Sequence, residues 1–211
     1  MRIEINGLNE VLKTLKGLED VKSQAAVLAV NSTVRFGYSE ASRGIRHDIN
    51  VSAGYIGTPN AGNRLEVTQF ARPGKPEAVL FAKGRATSLA RYMTSGTVGK
   101  AGVRVSVGRG KGTKGIPKAF PVRLKKGATL TEDQFNQGIA IRLKKGAKVR
   151  NKYRMKEYDK REDENAKSRL YLLIAPSVSQ VFEQVAGDIE PKVSSFLQRE
   201  FLRQFGRLNR G

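Results

Sequence analysis

Residues 2–6, Arg2-Ile3-Glu4-Ile5-Asn6, alternate polar and apolar, the period of a short edge strand, and Gly7 ends it. The period then lengthens. Leu8, Val11, Leu12, Leu15 and Leu18 recur at steps of three and four, which predicts one apolar stripe of a helix that breaks near Gly17. Asp20 is placed to cap a second, longer helix over residues 21–47, with Ala25, Leu28, Ala29, Ser32 and Phe36 as its buried face. Gly37 and Gly44 each cost about 1 kcal/mol relative to alanine there, so the later half is the weaker one.

Residues 52–63 are rich in Gly, Ser, Asn and Pro and read as a loop. Two strand-like runs follow, 64–70 and 77–83, joined by Ala71-Arg72-Pro73-Gly74-Lys75-Pro76, the connection of a β-hairpin. Residues 85–92 suit a short helix. Residues 103–107 alternate cleanly as a strand, and 116–120 lead into another that ends at Leu124. Arg-Leu-Lys-Lys-Gly-Ala occurs twice, at 123–128 and 142–147, each time at the end of a strand-like run. Two copies are too few for a solenoid and predict two strands of one sheet with similar basic ends.

Residues 144–167 are dense in charge and predict an exposed loop or a solvated, partly helical excursion. The run Leu170-Leu172-Leu173-Ile174 around Tyr171 predicts a central, buried strand that Pro176 stops, with Ser177 placed to cap the last helix. Val181, Phe182, Val185 and Ile189 begin that helix. Asp188 and Pro191 predict a kink or restart before Val193, Phe196, Leu197 and Phe201 continue the stripe. The prediction is an α+β fold over residues 1–211 as one domain. It has an antiparallel sheet core, an N-terminal helix pair, a long kinked C-terminal helix and basic, glycine-rich loops.

Charge changes the picture in one region. From 78 to 156 there are twenty Lys or Arg and two acids, Glu132 and Asp133, which is +18 of the chain's +20. Such a balance attracts polyanions. Within it, Gly108-Arg109-Gly110-Lys111-Gly112-Thr113-Lys114-Gly115 is too glycine-rich and self-repelling to form a regular element alone and reads as a mobile loop. No apolar run approaches the roughly 20 residues of a membrane span, and the first residues lack an apolar signal core. The chain therefore reads as one made and kept in a cytoplasm, a reading with which the absence of cysteine agrees.

Candidate chemistry is sparse. His47 is the one histidine and reads as a surface or capping residue. Without a second histidine or any cysteine, the usual histidine-based triads and zinc-ligand sets cannot be assembled within one chain. Glu157, Asp159, Glu162, Asp163 and Glu164 form an acidic cluster, but Lys156, Lys160 and Arg161 compete for its carboxylates, and it reads as a solvated charge run. The glycine-rich loop lacks the Gly-Lys-Ser/Thr of a P-loop and runs into Ile116-Pro117 instead of a helix. No catalytic, cofactor or metal site is assigned. The aromatics of the basic window are scattered and form no stacking platform, so any nucleic acid would be held by charge, without sequence preference.

Four segments together resemble a known family, the minor tail protein Z family of long-tailed bacteriophages and prophages. They are an N-terminal helix pair containing Gly7-Leu8 and Ala29-Val30-Asn31, and a basic glycine-rich run into Ile116-Pro117-Lys118-Ala119-Phe120. An apolar strand closed by Ala175-Pro176-Ser177-Val178 follows, and then a C-terminal helix with Glu190-Pro191-Lys192 and Phe196-Leu197-Gln198-Arg199-Glu200-Phe201. Residues 144–167 depart from the family's shorter pattern as an insertion. The resemblance implies a structural, non-enzymatic virion protein assembled in the host bacterial cytoplasm. It would complete the tail at its head-proximal end, as a homo-oligomeric ring between neighbours such as the tail terminator, head connector, tail tube or tape measure, with no membrane partner. Arg109, Lys111, Lys114 and Lys118 are then expected to contact a partner, either protein or the genomic DNA in the lumen. The alternative expectation is a free-standing, non-specific nucleic-acid-binding protein.

Overall fold

In a computed structural model the chain is described over residues 2–4, 19–60, 62–99, 102–124, 136–144, 152–154 and 168–210. It is an α+β protein with antiparallel sheets. By its internal contacts it divides into two compact units, the first comprising residues 1–47, 52–85 and 178–211, the second 48–51 and 86–177.

The first unit holds strand β1 (Arg2–Glu4), helix α1 (Glu19–Asp48, except its last residue), the short helix α2 (Ala53–Ile56), strands β2 (Leu65–Gln69) and β3 (Val79–Ala82), and helix α3 (Val178–Leu208). The sheet order is β1-β3-β2, all antiparallel, so β1 is the edge strand expected from its alternation. The β2–β3 hairpin forms as expected. Arg72 pairs with Lys75 across its tip, and Gly74 takes the positive φ of 77° that the turn demands. Leu65, Val67, Leu80 and Ala82 are buried. Within the expected loop, Ser52 caps α2 by accepting a hydrogen bond from the Tyr55 amide at 3.2 Å. The expected first helix, on residues 8–18, lies outside the described residues.

Helix α1 runs through both Gly37 and Gly44 without interruption. Its buried face differs from the expected one. Leu28, Ser32 and Phe36 are half-buried, while Ala26, Val30, Val34, Ala41 and Ile45 join Ala25 and Ala29 in the core. The reason is that α1 is contacted from more than one side, so its apolar arc is wide. On one side the Asn31 amide donates to the Ala71 carbonyl at 3.1 Å and accepts from the Ala71 amide at 2.8 Å, standing in for a strand partner just beyond β2. The Tyr38 hydroxyl donates to the Gly57 carbonyl at 2.6 Å. On another side lies α3.

The contacts between α1 and α3 fix their relative direction. Gly44 faces Val185, Glu40 faces Lys192, Gly37 faces Val193, Phe36 faces Phe196 and Ser32 faces Glu200. Numbers rise on one helix as they fall on the other, so the pair is antiparallel. The Phe36 and Phe196 rings stack with centroids 4.3 Å apart. At Gly44 the approach is closest: an added Cβ would lie 2.3 Å from Val185 Cγ1. Helix α3 is continuous through Pro191, without the expected restart. The proline removes one backbone donor, and the carbonyl that its ring crowds is that of Gly187, four residues earlier.

Among the described residues of this unit, three glutamates are buried, each beside a cation. Glu40 lies 2.6 Å from Arg43 and 3.6 Å from Lys192, and Glu66 lies 3.2 Å from Lys83. Glu200 accepts from Arg203 at 2.6 and 2.8 Å and from Gln204 at 2.7 Å. The Arg203 hydrogen bonds outweigh the upward push of burial. With help from Gln204, the Arg203 charge and Ser32, they hold the Glu200 carboxyl at about 2, down from an ordinary 4.5.

The second unit holds β4 (Thr87–Ser88), a 3-10 turn (Leu89–Tyr92), β5 (Met93–Gly99), β6 (Gly102–Val105), β7 (Lys114–Ile116), β8 (Ala119–Leu124), β9 (Asn136–Lys144), β10 (Lys152–Arg154) and β11 (Ser168–Ala175). One sheet has the order β10-β11-β9-β8, with β4 also on β11; the other is β5-β6-β7. The run at 85–92 is thus a two-residue strand and a 3-10 turn instead of a helix. Strand β5 is an element that sequence reading missed. β11 is central as expected, but only its Leu170, Leu173 and Ala175 are buried; Tyr171, Leu172 and Ile174 are half-buried. The charged run 144–167 contains a strand, β10, paired with β11 through Tyr153 and Leu172; its acidic cluster lies outside the described residues. The repeated Arg-Leu-Lys-Lys motif does mark two strands of one sheet. β8 and β9 pair with Leu124 opposite Asn136 and Ala119 opposite Ile141, so Arg123 and Arg142 lie at opposite ends of that ladder.

Two outcomes test the helix pair. Gly44→Ala is expected to lower stability by about 1–2 kcal/mol in a thermal melt, because crowding against Val185 exceeds the gain in helix propensity. Gly187→Ala, whose Cβ meets nothing within 4 Å, is expected to raise it by about 0.5–1 kcal/mol. Glu200 gives a pH dependence. Its folded carboxyl titrates below its unfolded one, so its contribution is complete above pH 4.5 and is lost as pH falls toward 2. Melts across that window are expected to decline more steeply for the unaltered chain than for Glu200→Gln.

Candidate polyanion-facing surface

In the second unit the described residues include twelve Lys or Arg and a single acid, Asp48. Side chains here have few carboxylates to neutralise them, so the fold keeps them wet. Arg104, Arg109, Lys111, Lys114, Lys118, Arg123 and Lys144 are all exposed. The apolar residues between them turn inward: Val103, Val105, Ala119, Ile139 and Ile141 are buried, and the 3-10 turn contributes Leu89 and Tyr92 to the same core.

The glycine-rich segment, expected as a loop without a regular element of its own over residues 108–115, is organised by backbone hydrogen bonds and includes part of a strand. Strand β7 takes up Lys114 and Gly115, which pair with Val105 and Arg104. Gly108 forms a bridge to Ile49. The Asn50 amide donates to the Val107 carbonyl at 2.8 Å, Arg109 to Asp48 at 3.3 Å, and Lys111 to Gly108 at 3.2 Å. Ser106 donates its amide to Tyr92 at 2.8 Å and its hydroxyl to Gly112 at 3.2 Å. Gly110 and Gly112 supply the positive φ values, 72° and 73°, that let the chain turn twice within five residues. The base of this segment needs another close approach. At Gly102, with φ 83°, an added Cβ would fall 2.0 Å from the Ile116 carbonyl oxygen.

The four residues expected to form one contact are divided by this arrangement. Arg109 and Lys111 occupy the β6–β7 connection and Lys114 opens β7. Lys118 lies past the other end of β7, in the two-residue turn into β8, at φ 63°. At about 3.3 Å per residue, the four steps from Lys114 to Lys118 span at most ~13 Å. Beside Lys118 the β8–β9 register adds residues that sequence reading did not select. Ala119 is opposite Ile141, so Arg142 and Lys144 extend past the start of β8 at the Lys118 end. The signal was the second copy of the basic motif, but only the antiparallel register reveals which end it joins.

Elsewhere the candidates are quiet. An open depression of about 430 Å³ on the β2–β3 hairpin is lined by Glu66, Thr68, Gln69, Val79 and Phe81. Its carboxylate is engaged by Lys83 at 3.2 Å and by the Gly62 amide at 2.5 Å. His47 is exposed in the last turn of α1. Among the described residues no group of three His, Cys, Asp or Glu is placed to hold a metal ion, and no helix is long and apolar enough to cross a membrane. No protein-family model, curated protein or solved structure matches the chain.

Proposed function

We propose that this protein is a structural component of a bacteriophage virion that completes the tail at its head-proximal end and makes it competent to join a head. The observation that carries this reading is the order of the four family-like segments along the chain, together with the framework positions those segments occupy. Asn31 of the first segment ties α1 to Ala71 through both atoms of its amide. Ile116-Pro117-Lys118-Ala119-Phe120 makes the tight passage from β7 to β8. Ala175-Pro176-Ser177-Val178 is the junction of β11 with α3. In the last segment Phe196 stacks on Phe36, and Leu197 and Phe201 are buried. A protein of this kind acts by presenting surfaces, and its neighbours in this reading are the tail terminator, the head connector, the tail tube or tape measure and further copies of itself in a ring.

The test is electron microscopy of particles assembled without this protein. Tails of normal length that fail to join filled heads are expected, and joining is expected to return when the protein is supplied. Normal infectious particles in its absence would overturn the proposal.

A further inference from the structure

We infer that the edge formed by β7 and its two flanking turns binds the phosphate backbone of duplex DNA, with one group of bases on each side of a groove. The first group is Arg109, Lys111 and Lys114, the second Lys118, Arg142 and Lys144. The inference stands apart from the virion reading, and the two can fail separately.

Three observations carry it. The first is placement: Lys114 opens β7 and Lys118 follows its other end, no more than ~13 Å away along the chain, within reach of the two sides of a B-form major groove roughly 12 Å wide. Long lysine side chains at the two ends of β7 are thereby placed to reach phosphates on both strands. The second is preorganisation. The β6–β7 connection is held at its base by Asn50 and Asp48 and internally by Ser106 and Lys111, so less ordering remains to be done on binding than for a free basic tail. The third is what the surface lacks among the described residues. Phe120, at 37% exposed, is the one exposed large apolar side chain of the unit, and a single ring gives neither a stacking platform for single strands nor the buried anchor cluster of a protein interface. Charge on a polar frame suits a duplex backbone. A competing explanation of the same residues is edge protection, since lysine and glycine on a short edge strand discourage pairing with another chain.

The experiment is fluorescence anisotropy of the full chain with 20-bp duplexes of unrelated sequence, over a salt series from 50 to 200 mM. Six phosphate contacts predict sequence-independent binding with a log–log salt slope of about −5. Changing Lys111, Lys114, Lys118 and Lys144 together to Gln is expected to lower the slope to about −2 and to weaken binding at least ~100-fold at low salt, with an unchanged melt. Changing Arg199 and Arg207 of α3 to Gln is expected to leave the slope within about one of the unaltered chain's, their loss being general charge alone. The inference is overturned by any of four results. These are no binding at 50 mM salt, equal binding by the four-residue variant, equal affinity for single strands, or displacement of the duplex by poly-glutamate at matched charge. Aggregation of the variant with binding intact would assign these lysines to edge protection instead.

Discussion

Bases that have no acids beside them must stay solvated and apart, and this constraint governs the second unit. A buried unpaired ammonium is prohibitive, and like charges directly opposite on neighbouring strands repel. With Asp48 the only acid among its described residues, the unit can fold only if its strands spend their inward positions on Val103, Val105, Ile139, Ile141 and Leu173. Most of the bases are left to strand ends, turns and outer positions; Arg169 and Arg142 are half-buried, and the Arg169 Nε is shut off from water. Gly115 opposite Arg104 and Gln137 opposite Arg123 are consistent with the same pressure, since neither pairing sets two cations face to face.

The first unit solves the opposite problem. Here carboxylates do enter the interior, and each of Glu40, Glu66 and Glu200 is met by a cation at 3.2 Å or closer. What organises the unit is proximity of backbones. Glycine at position 44 lets α1 and α3 close to the point where a methyl group would collide with Val185, and this brings Phe36 onto Phe196 and Ser32 onto Glu200 further along the same seam. The propensity cost of glycine in a helix is thereby repaid in packing.

Local periodicity made the hairpin at β2 and β3, the alternation of β6, the central position of β11 and the two long helices legible in the sequence. It failed where tertiary contact decides. The buried arc of α1 is wider than a single stripe because the Ala71 and Gly57 carbonyls on one side and α3 on another all need it. Helix α3 runs on through Pro191 with packed residues on both sides of it, Ile189 and Leu197 buried and Phe196 stacked on Phe36. Strand β5 is hard to see, since Met93-Thr94-Ser95-Gly96-Thr97-Val98-Gly99 has the composition of a turn and is a strand only beside β6. Of the surface, the basic character was plain from counting residues. The hydrogen bonds from Asn50 and to Asp48 were invisible, being contacts across some sixty residues of chain. So was the register that brings Arg142 and Lys144 to the Lys118 end.

The picture that results is of basic side chains presented on a hydrogen-bonded scaffold, where composition alone suggests a loose polycationic loop. That distinction underlies both the proposed structural role and the inferred duplex contact, because a prebuilt surface can choose a shape and a loose one cannot. Amide hydrogen exchange on the free protein measures it directly. The account predicts that the amides of Asn50, Ser106, Arg109 and Lys111 exchange markedly more slowly than those of Gly110 and Gly112 in the same connection. Exchange of all six at the rates of an unstructured chain would contradict it.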